Sequence, residues 1–219
     1  MRSIIVGGGK VGYYLAKTLL ERNYDVSVIE SDRGVCQFFA NTLDVTVVLG
    51  DGSTIRALKK AGADRCDSVI AVTGEDEVNL IICQMAKRVF EVKKTIAKVN
   101  NPKNVETIRL LGADIAISGT ENIIRQMERE VDNSRIKELM PINEKAAVFE
   151  VIIPENYVYD GKMLADIKLP DGCNIISITR GEDFIIPRGR TKLLSNDKLL
   201  IVSALNAASD VRRMLKIKK

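Results

Sequence analysis

The sequence predicts an α/β protein in which a doubly wound parallel sheet is followed by a small, β-rich α+β domain. Three observations predict it. An apolar strand, Ile4-Ile5-Val6, runs into Gly7-Gly8-Gly9-Lys10-Val11-Gly12 and then a helix, which sets G-x-G-x-x-G between strand and helix. Near-continuous apolar strands alternate with helices through the first 120 residues, as a parallel sheet covered on both faces requires. From about residue 143 the texture changes to short strands separated by glycine and proline turns.

Strand 2–6 leads to a helix at about 10–22, with Val11, Leu15, Thr18 and Leu19 on one face. Gly7 permits the tight turn off the strand, Gly9 lets a pyrophosphate approach the backbone, and Gly12 lets the helix pack close to the sheet. Amide N–H groups at the helix start, with its partial positive charge, then hold the phosphates. Strand 25–30 ends in Glu30, eighteen residues beyond Gly12, where a carboxylate reaches an adenosine ribose. Glu30 repels a 2′-phosphate and so favours NAD or an adenine nucleotide over NADP, although Arg33 nearby weakens that exclusion.

A helix from Arg33 to Asn41 follows, then strand 45–49, the turn Gly50-Asp51-Gly52-Ser53 and a helix ending near Gly62. Strand 67–72 gives way to Thr73-Gly74 and a longer helix at about 76–90. Strand 94–99, a helix from Pro102 to about Leu111 and a short strand 114–117 complete the series. With right-handed crossovers and the opening glycine motif, this is a Rossmann-type domain over 1–119. A charged helix at about 120–138, stopped by Pro141, has Ile123, Ile124, Met127 and Val131 as its apolar stripe. It serves as a linker or crossover helix over 120–140, either capping the sheet or packing on a partner subunit.

The third segment, 141–219, holds strand 147–153, a short helical piece at 163–166, strands 174–179, 184–186 and 198–202, and a last helix near 206–216. At about 75 residues it is marginal by itself and gains stability by docking or dimerising.

Composition narrows the function. The chain has 219 residues, 46% of them hydrophobic and 28% charged, which is ample for a folded core. No apolar run approaches the length of a membrane span, and the first strand begins at once, so a cytoplasmic protein without a signal peptide or membrane insertion of its own is expected. Cys36, Cys66, Cys83 and Cys173 form no C-x-x-C pair, and there is no histidine, so reduced thiols and no metal site are expected. The charge of +4 is interleaved along the chain apart from its basic end, which argues against nucleic acid as a partner. A dehydrogenase shares the fold, but no histidine offers an acid or base, and the Tyr13-x-x-x-Lys17 spacing falls in the helix directly after the phosphate loop. An NAD-dependent oxidoreductase or a redox-sensing nucleotide-binding regulator is the alternative. No helix-turn-helix unit supports the latter as a DNA-binding protein.

The glycine motif, Val28-Ile29-Glu30, Gly50-Asp51-Gly52-Ser53 and Gly112-Ala113-Asp114 resemble the TrkA-type regulatory subunits of potassium uptake systems, within the RCK, or KTN, group. Leu164-Ala165-Asp166-Ile167, Arg180-Gly181, Pro187-Arg188-Gly189 and Asn196-Asp197-Lys198-Leu199 extend the resemblance through the second half. It implies a non-enzymatic subunit, peripheral to the inner face of the membrane. Such a subunit binds NAD(H), ATP or ADP in the cleft, forms dimers that assemble into a homo-oligomeric ring, and gates a membrane potassium translocator of Trk or Ktr type.

It also implies a phosphate loop of Gly7, Gly8, Gly9, Lys10 and Val11 closed by Gly12, a ribose acid at Glu30, and Asp51, Gly52 and Ser53 beside the adenine. Thr73, Gly74 and Lys98 complete the rim. Some ATP-responsive relatives carry arginine where Lys10 stands, and calcium-gated relatives carry acids where Lys98 and Asn100 stand, which speaks against a calcium site. Glu121 resembles a glutamate that helps hold a divalent ion at a γ-phosphate, and equally suits the start of a helix. Other roles stand beside these: Asp51 capping the next helix, Thr73-Gly74 as an ordinary turn, Lys98 as a solvated edge charge, and Pro187-Arg188-Gly189 as a loop that fixes the small domain.

Overall fold

Ile4, Ile5 and Val6 are almost fully buried and alternate between two cores, because successive side chains of a strand point to opposite faces. A computed structural model describes residues 1–131, 135–143, 145–169, 171–204 and 213. It divides into two units, Met1–Ile124 and Arg125–Lys219.

The chain opens with β1 (Arg2–Val6), α1 (Lys10–Glu21), β2 (Asp25–Glu30), α2 (Arg33–Thr42), β3 (Thr46–Leu49) and α3 (Ile55–Lys60). β4 (Ser68–Ala71), α4 (Asp76–Phe90), β5 (Lys94–Val99), α5 (Val105–Leu110), β6 (Ile115–Ser118) and α6 (Gly119–Val131) follow. The strands form one parallel sheet in the order β3-β2-β1-β4-β5-β6. The doubly wound fold expected from the sequence is therefore the fold observed. Ile4, Val6, Ile29, Leu58, Ile82 and Val99 meet on one face of the sheet, and Ile5, Val28, Phe39, Ile70 and Val72 on the other. Strand order reverses between β1 and β4, which opens a crevice at the carboxyl ends of the strands.

The second unit holds an antiparallel sheet of β7 (Ile136–Asn143), β8 (Ala146–Ile152), β9 (Cys173–Arg180), β10 (Asp183–Ile185) and β11 (Lys198–Ala204), in the order β10-β9-β11-β8-β7. On β8 and β11 every second residue is buried, and Phe149, Val151, Leu199 and Ile201 build its core with Ile153, Ile178 and Leu193. Asp197, fully buried, accepts Arg180 Nε and Nη2 at 2.7 and 2.8 Å and the Leu194 N–H at 2.8 Å. This gives the Asn196-Asp197 turn its structural role.

Of the helix expected at about 120–138, α6 covers the part to Val131, and residues 136–143 are strand β7. The joint between the domains is thus helical only in its first part. Pro141 does not stop a helix; it sits beside a register shift in an edge strand, where a missing N–H is tolerated. The helix expected near 206–216 lies outside the described residues apart from Arg213.

Candidate functional site

The turn after β1 shows why it needs glycine. Gly7 has φ +109°, in the region that side chains avoid, and its N–H donates to the Ile29 carbonyl at 2.9 Å. A Cβ at Gly12 would lie 1.9 Å from the Gly7 carbonyl oxygen, so α1 is pressed onto the loop. Gly9 differs: its φ is an ordinary −64° and a Cβ there would meet no protein atom within 4 Å. Neither backbone nor packing asks for glycine at this position; open cleft lies beyond it. Gly9 caps α1 without a side-chain acceptor, so the first-turn amides are left for water or an anion.

Glu30 ends β2 with its carboxylate folded toward this loop. Oε2 accepts the Gly8 N–H at 2.5 Å, and Oε1 accepts the N–H groups of Ser31 at 2.6 Å and Asp32 at 2.8 Å. Burial opposes its ionisation, but these donors outweigh burial and hold the carboxyl below its usual range. Glu30 is therefore an ionised acceptor that also fixes the loop at Gly8. A Cβ at Gly8 would press on Val35 and Glu30, at 2.6 and 3.0 Å, so this glycine serves close packing.

The turn after β3 places Asp51 across from the loop. Its Oδ1 accepts Ser53 Oγ at 2.7 Å and Ser53 N–H at 2.9 Å, which lowers its pKa. The cap of α3 is Thr54, whose hydroxyl accepts the Ala57 N–H at 3.3 Å, so Asp51 shapes the turn rather than capping the helix. Gly52 presses on the end of β1, where a Cβ would stand 2.0 Å from Val6 Cγ1.

On the other side, Asn79 of α4, fully buried, organises the ends of β4 and β5. Its Oδ1 accepts the Thr73 N–H at 2.9 Å and Thr73 Oγ at 2.7 Å, while its Nδ2 donates to the Lys98 carbonyl at 2.9 Å. Asp76, also buried, accepts the N–H groups of Asn100 and Asn101 and the Asn104 side chain, which pins the next loop. Thr73 is thus tied to α4 and, through Asn79, to the end of β5. Lys98 lies on a strand flanked by β4 and β6, not on an edge.

These pieces enclose a cleft of about 730 Å³. Of the residues singled out in the sequence, Gly7, Gly9, Lys10, Val11, Glu30, Asp51, Gly52, Thr73, Gly74 and Lys98 line it. Gly8, Gly12 and Ser53 stand behind the lining and support it through the contacts above. Ser31, Gly50 and Glu75 also line the cleft, as do the apolar Val72, Val78 and Ile82, none of which is among the candidate binding residues named from the sequence. Adjacency to Glu30, Asp51 and Gly74 is the sequence signal for the first three. Among the described residues no three His, Cys, Asp or Glu side chains gather as a metal site, and Glu121 lies in the first turn of α6 with its N–H donating to Ser118 Oγ at 3.3 Å.

Comparison with known proteins bears on this geometry. The TrkA-N domain model matches residues 3–119 and the TrkA-C domain model residues 148–216. The chain belongs to the TrkA family.

A Trk system potassium uptake protein TrkA homolog of Methanothermobacter thermautotrophicus is 30% identical over 214 residues, covering 97% of this TrkA-family chain and 98% of the relative. The homolog of Archaeoglobus fulgidus is 36% identical over 209 residues, 93% of this chain but 47% of its own length. The chain thus spans nearly all of some curated relatives and about half of others. Among solved structures, the GsuK RCK domain covers 99% of the chain and 47% of its own, with TM-score 0.54 at 23% identity. The GsuK channel bound to NAD covers 99% and 39%, with TM-score 0.53 at 23% identity. The Kef C-terminal domain of Shewanella denitrificans in AMP-bound form covers 60% and 79%, with TM-score 0.52 at 19% identity. At these identities the likeness is one of fold. Among the described residues no helix is long and apolar enough to cross a membrane.

Proposed function

We propose that this TrkA-family chain is a cytoplasmic nucleotide-binding regulatory subunit of a potassium uptake system. The observation that carries the reading is the cleft at the head of α1. It joins uncapped first-turn amides, open space beyond Gly9, Lys10 beside them and an ionised Glu30 at the end of β2. Gly7, Gly9, Lys10 and Val11 hold the diphosphate, Glu30 the adenosine ribose, and Asp51 and Gly52 flank the adenine. Thr73, Gly74 and Lys98 face the remainder of the ligand, and Gly8, Gly12 and Ser53 keep the cradle in shape. The ligand is NAD(H), ATP or ADP.

The names of the curated relatives, which place them in Trk potassium uptake systems, support a membrane potassium translocator of Trk or Ktr type as the partner. The exposed apolar side chains of α6, Ile123, Ile124, Met127 and Val131, support self-association into dimers and a ring. The subunit acts by biased conformation and not by catalysis, a reading supported by the lack of any histidine to serve as acid or base. Nucleotide and translocator then influence each other reciprocally.

Titrating the purified protein with NADH, NAD, ATP, ADP and NADPH while following thermal unfolding tests this reading. Saturable stabilisation by an adenine nucleotide, without hydride turnover in the same sample, is the expected result. No stabilisation by any of the five, or turnover of NADH with a small substrate, overturns it.

A further inference from the structure

Four aromatic rings adjoin where α1 meets α2. Tyr13 packs against Tyr14, Phe38 and Phe39, with ring centroids 5.5, 5.1 and 5.5 Å away. Phe39 is fully buried in the core beneath, whereas Tyr14 is 65% exposed and Phe38 51%. The cluster therefore begins in the core and ends as an aromatic patch on the surface of the first unit. Core packing accounts for Phe39 and for much of Tyr13; it does not account for Tyr14 or Phe38.

The rim of the patch is cationic. Lys10, Tyr14 and Lys17 stand at i, i+4 and i+7 of α1, so the Tyr14 ring lies between two ammonium groups on one helix face. Arg33 opens α2 at the end of the sheet where Lys10 opens α1, because both helices follow parallel strands. These three cations are exposed and make no ion pair among the described residues. A cation in the first turn opposes the helix macrodipole, so α2 itself gains nothing from Arg33. The acids nearby are Asp32, whose Oδ1 accepts the Val35 N–H as the cap of α2, and Glu21, at the far end of α1.

We propose that this face of the first unit adsorbs to an anionic lipid surface, with Tyr14 and Phe38 seated among the headgroups and Lys17 and Arg33 on the lipid phosphates. Exposed aromatic rings flanked by cations match a layer that is apolar beneath and negatively charged above. Charge selects the occupant. A second copy of the chain, paired about a two-fold axis, sets this cationic rim against its own image. The cytoplasmic loops of membrane proteins carry an excess of Lys and Arg, and they repel it too. The contact is peripheral, since among the described residues no helix is long and apolar enough to cross a membrane. It is independent of nucleotide binding, and Lys10, which lines the cleft, is left unaltered in its test.

The test is co-sedimentation of the full chain with vesicles of phosphatidylglycerol and phosphatidylcholine, and with vesicles of phosphatidylcholine alone, circular dichroism reporting the fold of each variant. Wild type is expected to partition at least about ten-fold more strongly onto the anionic vesicles at low salt, the contrast set by a few cations at a charged headgroup layer. That preference shrinks as salt rises. The double variant Tyr14→Ser and Phe38→Ser loses at least about ten-fold in partitioning, because two rings no longer leave water. Lys17→Glu lowers the preference for anionic vesicles, and Lys17→Arg keeps it. Equal partitioning onto both vesicles, none onto either, or undiminished partitioning of the folded double variant overturns the proposal. So does release from the vesicles by inorganic phosphate at matched ionic strength, which would make the ligand a free anion. A wild-type oligomer that the double variant dissociates in sedimentation velocity, without vesicle binding, overturns it in favour of a second copy.

Discussion

Gly9 and Gly12 sit three residues apart in one motif, yet the structure gives them opposite reasons to be glycine. Gly12 answers to the protein, because its Cβ would strike the Gly7 carbonyl at 1.9 Å; at Gly9 a Cβ would meet only open cleft, which is the room the proposed ligand needs. Gly12→Ala is therefore expected to destabilise the first unit by about 1–3 kcal/mol, the range for overpacking. Gly9→Leu should cost no more than about 1 kcal/mol of stability, since only an N-cap preference is lost. It should nevertheless weaken ADP binding at least about ten-fold by filling the approach to the amides. Chemical denaturation and ADP titration of the two variants decide this; Gly9→Leu with undiminished ADP affinity would show that the ligand does not lie there. The motif glycines and Glu30 were legible in the sequence because their spacing along the chain carries their role. Asn79 was not. Its work is to join β4 and β5, whose ends are adjacent only once the sheet has formed.

At the scale of elements, the same distinction separates the strands read correctly from β7. The parallel strands announced themselves by apolar runs between glycine turns, a local signal. Ile136-Lys137-Glu138 follows an amphipathic helix and suits its continuation, so local propensity favours carrying the helix on toward Pro141; pairing with β8 decides otherwise. Tertiary pairing also explains the turn before β11. Removing the guanidinium with Arg180→Ala leaves the Asp197 carboxylate buried without its partner, and the expected cost is about 3–5 kcal/mol. Denaturant unfolding that shows a loss below 1 kcal/mol would mean the pair is dispensable. Among the described residues the buried Tyr157 hydroxyl has no hydrogen-bond partner, and its burial pushes the pKa up to about 12. Tyr157→Phe removes a desolvated hydroxyl and keeps the ring's edge contact with Tyr159, so a gain of about 1 kcal/mol is expected. A lower melting temperature in this variant would reveal a partner for the hydroxyl.

For the molecule as a whole, the distribution of its carboxylates sets how it responds to acid. Burial opposes ionisation of Glu30, Asp76 and Asp114, yet hydrogen bonds donated by Gly8, Ser31 and Asp32, by Asn100, Asn101 and Asn104, and by Thr95 and Lys87 hold all three below the usual carboxylate range. All three belong to Met1–Ile124. A carboxylate whose folded pKa lies below its unfolded value binds fewer protons when folded, so its stabilisation is complete above the unfolded value. That stabilisation is lost as pH falls through the ordinary carboxylate range toward the lower folded value. These three, with Asp51, which its Ser53 bonds also hold low, make the unit's stability fall together on acidification, while neutral and mildly alkaline pH leave it unchanged by these groups. Amide exchange at pH 7 and at about pH 4 is the measurement, with the range chosen from ordinary carboxylate titration. After correction for intrinsic rates, protection in β1, β2, β4 and β5 should drop more than protection in β8 and β11. Saturating ADP should restore part of the lost protection at the lower pH, because ligand binding to the folded state adds free energy by mass action. Earlier loss in β8 and β11, or a first unit that gains protection in acid, would contradict the assignment of these carboxylates as ionised acceptors. That failure would reach the site itself, since the Glu30 bond to Gly8 that shapes the phosphate loop is one of the three.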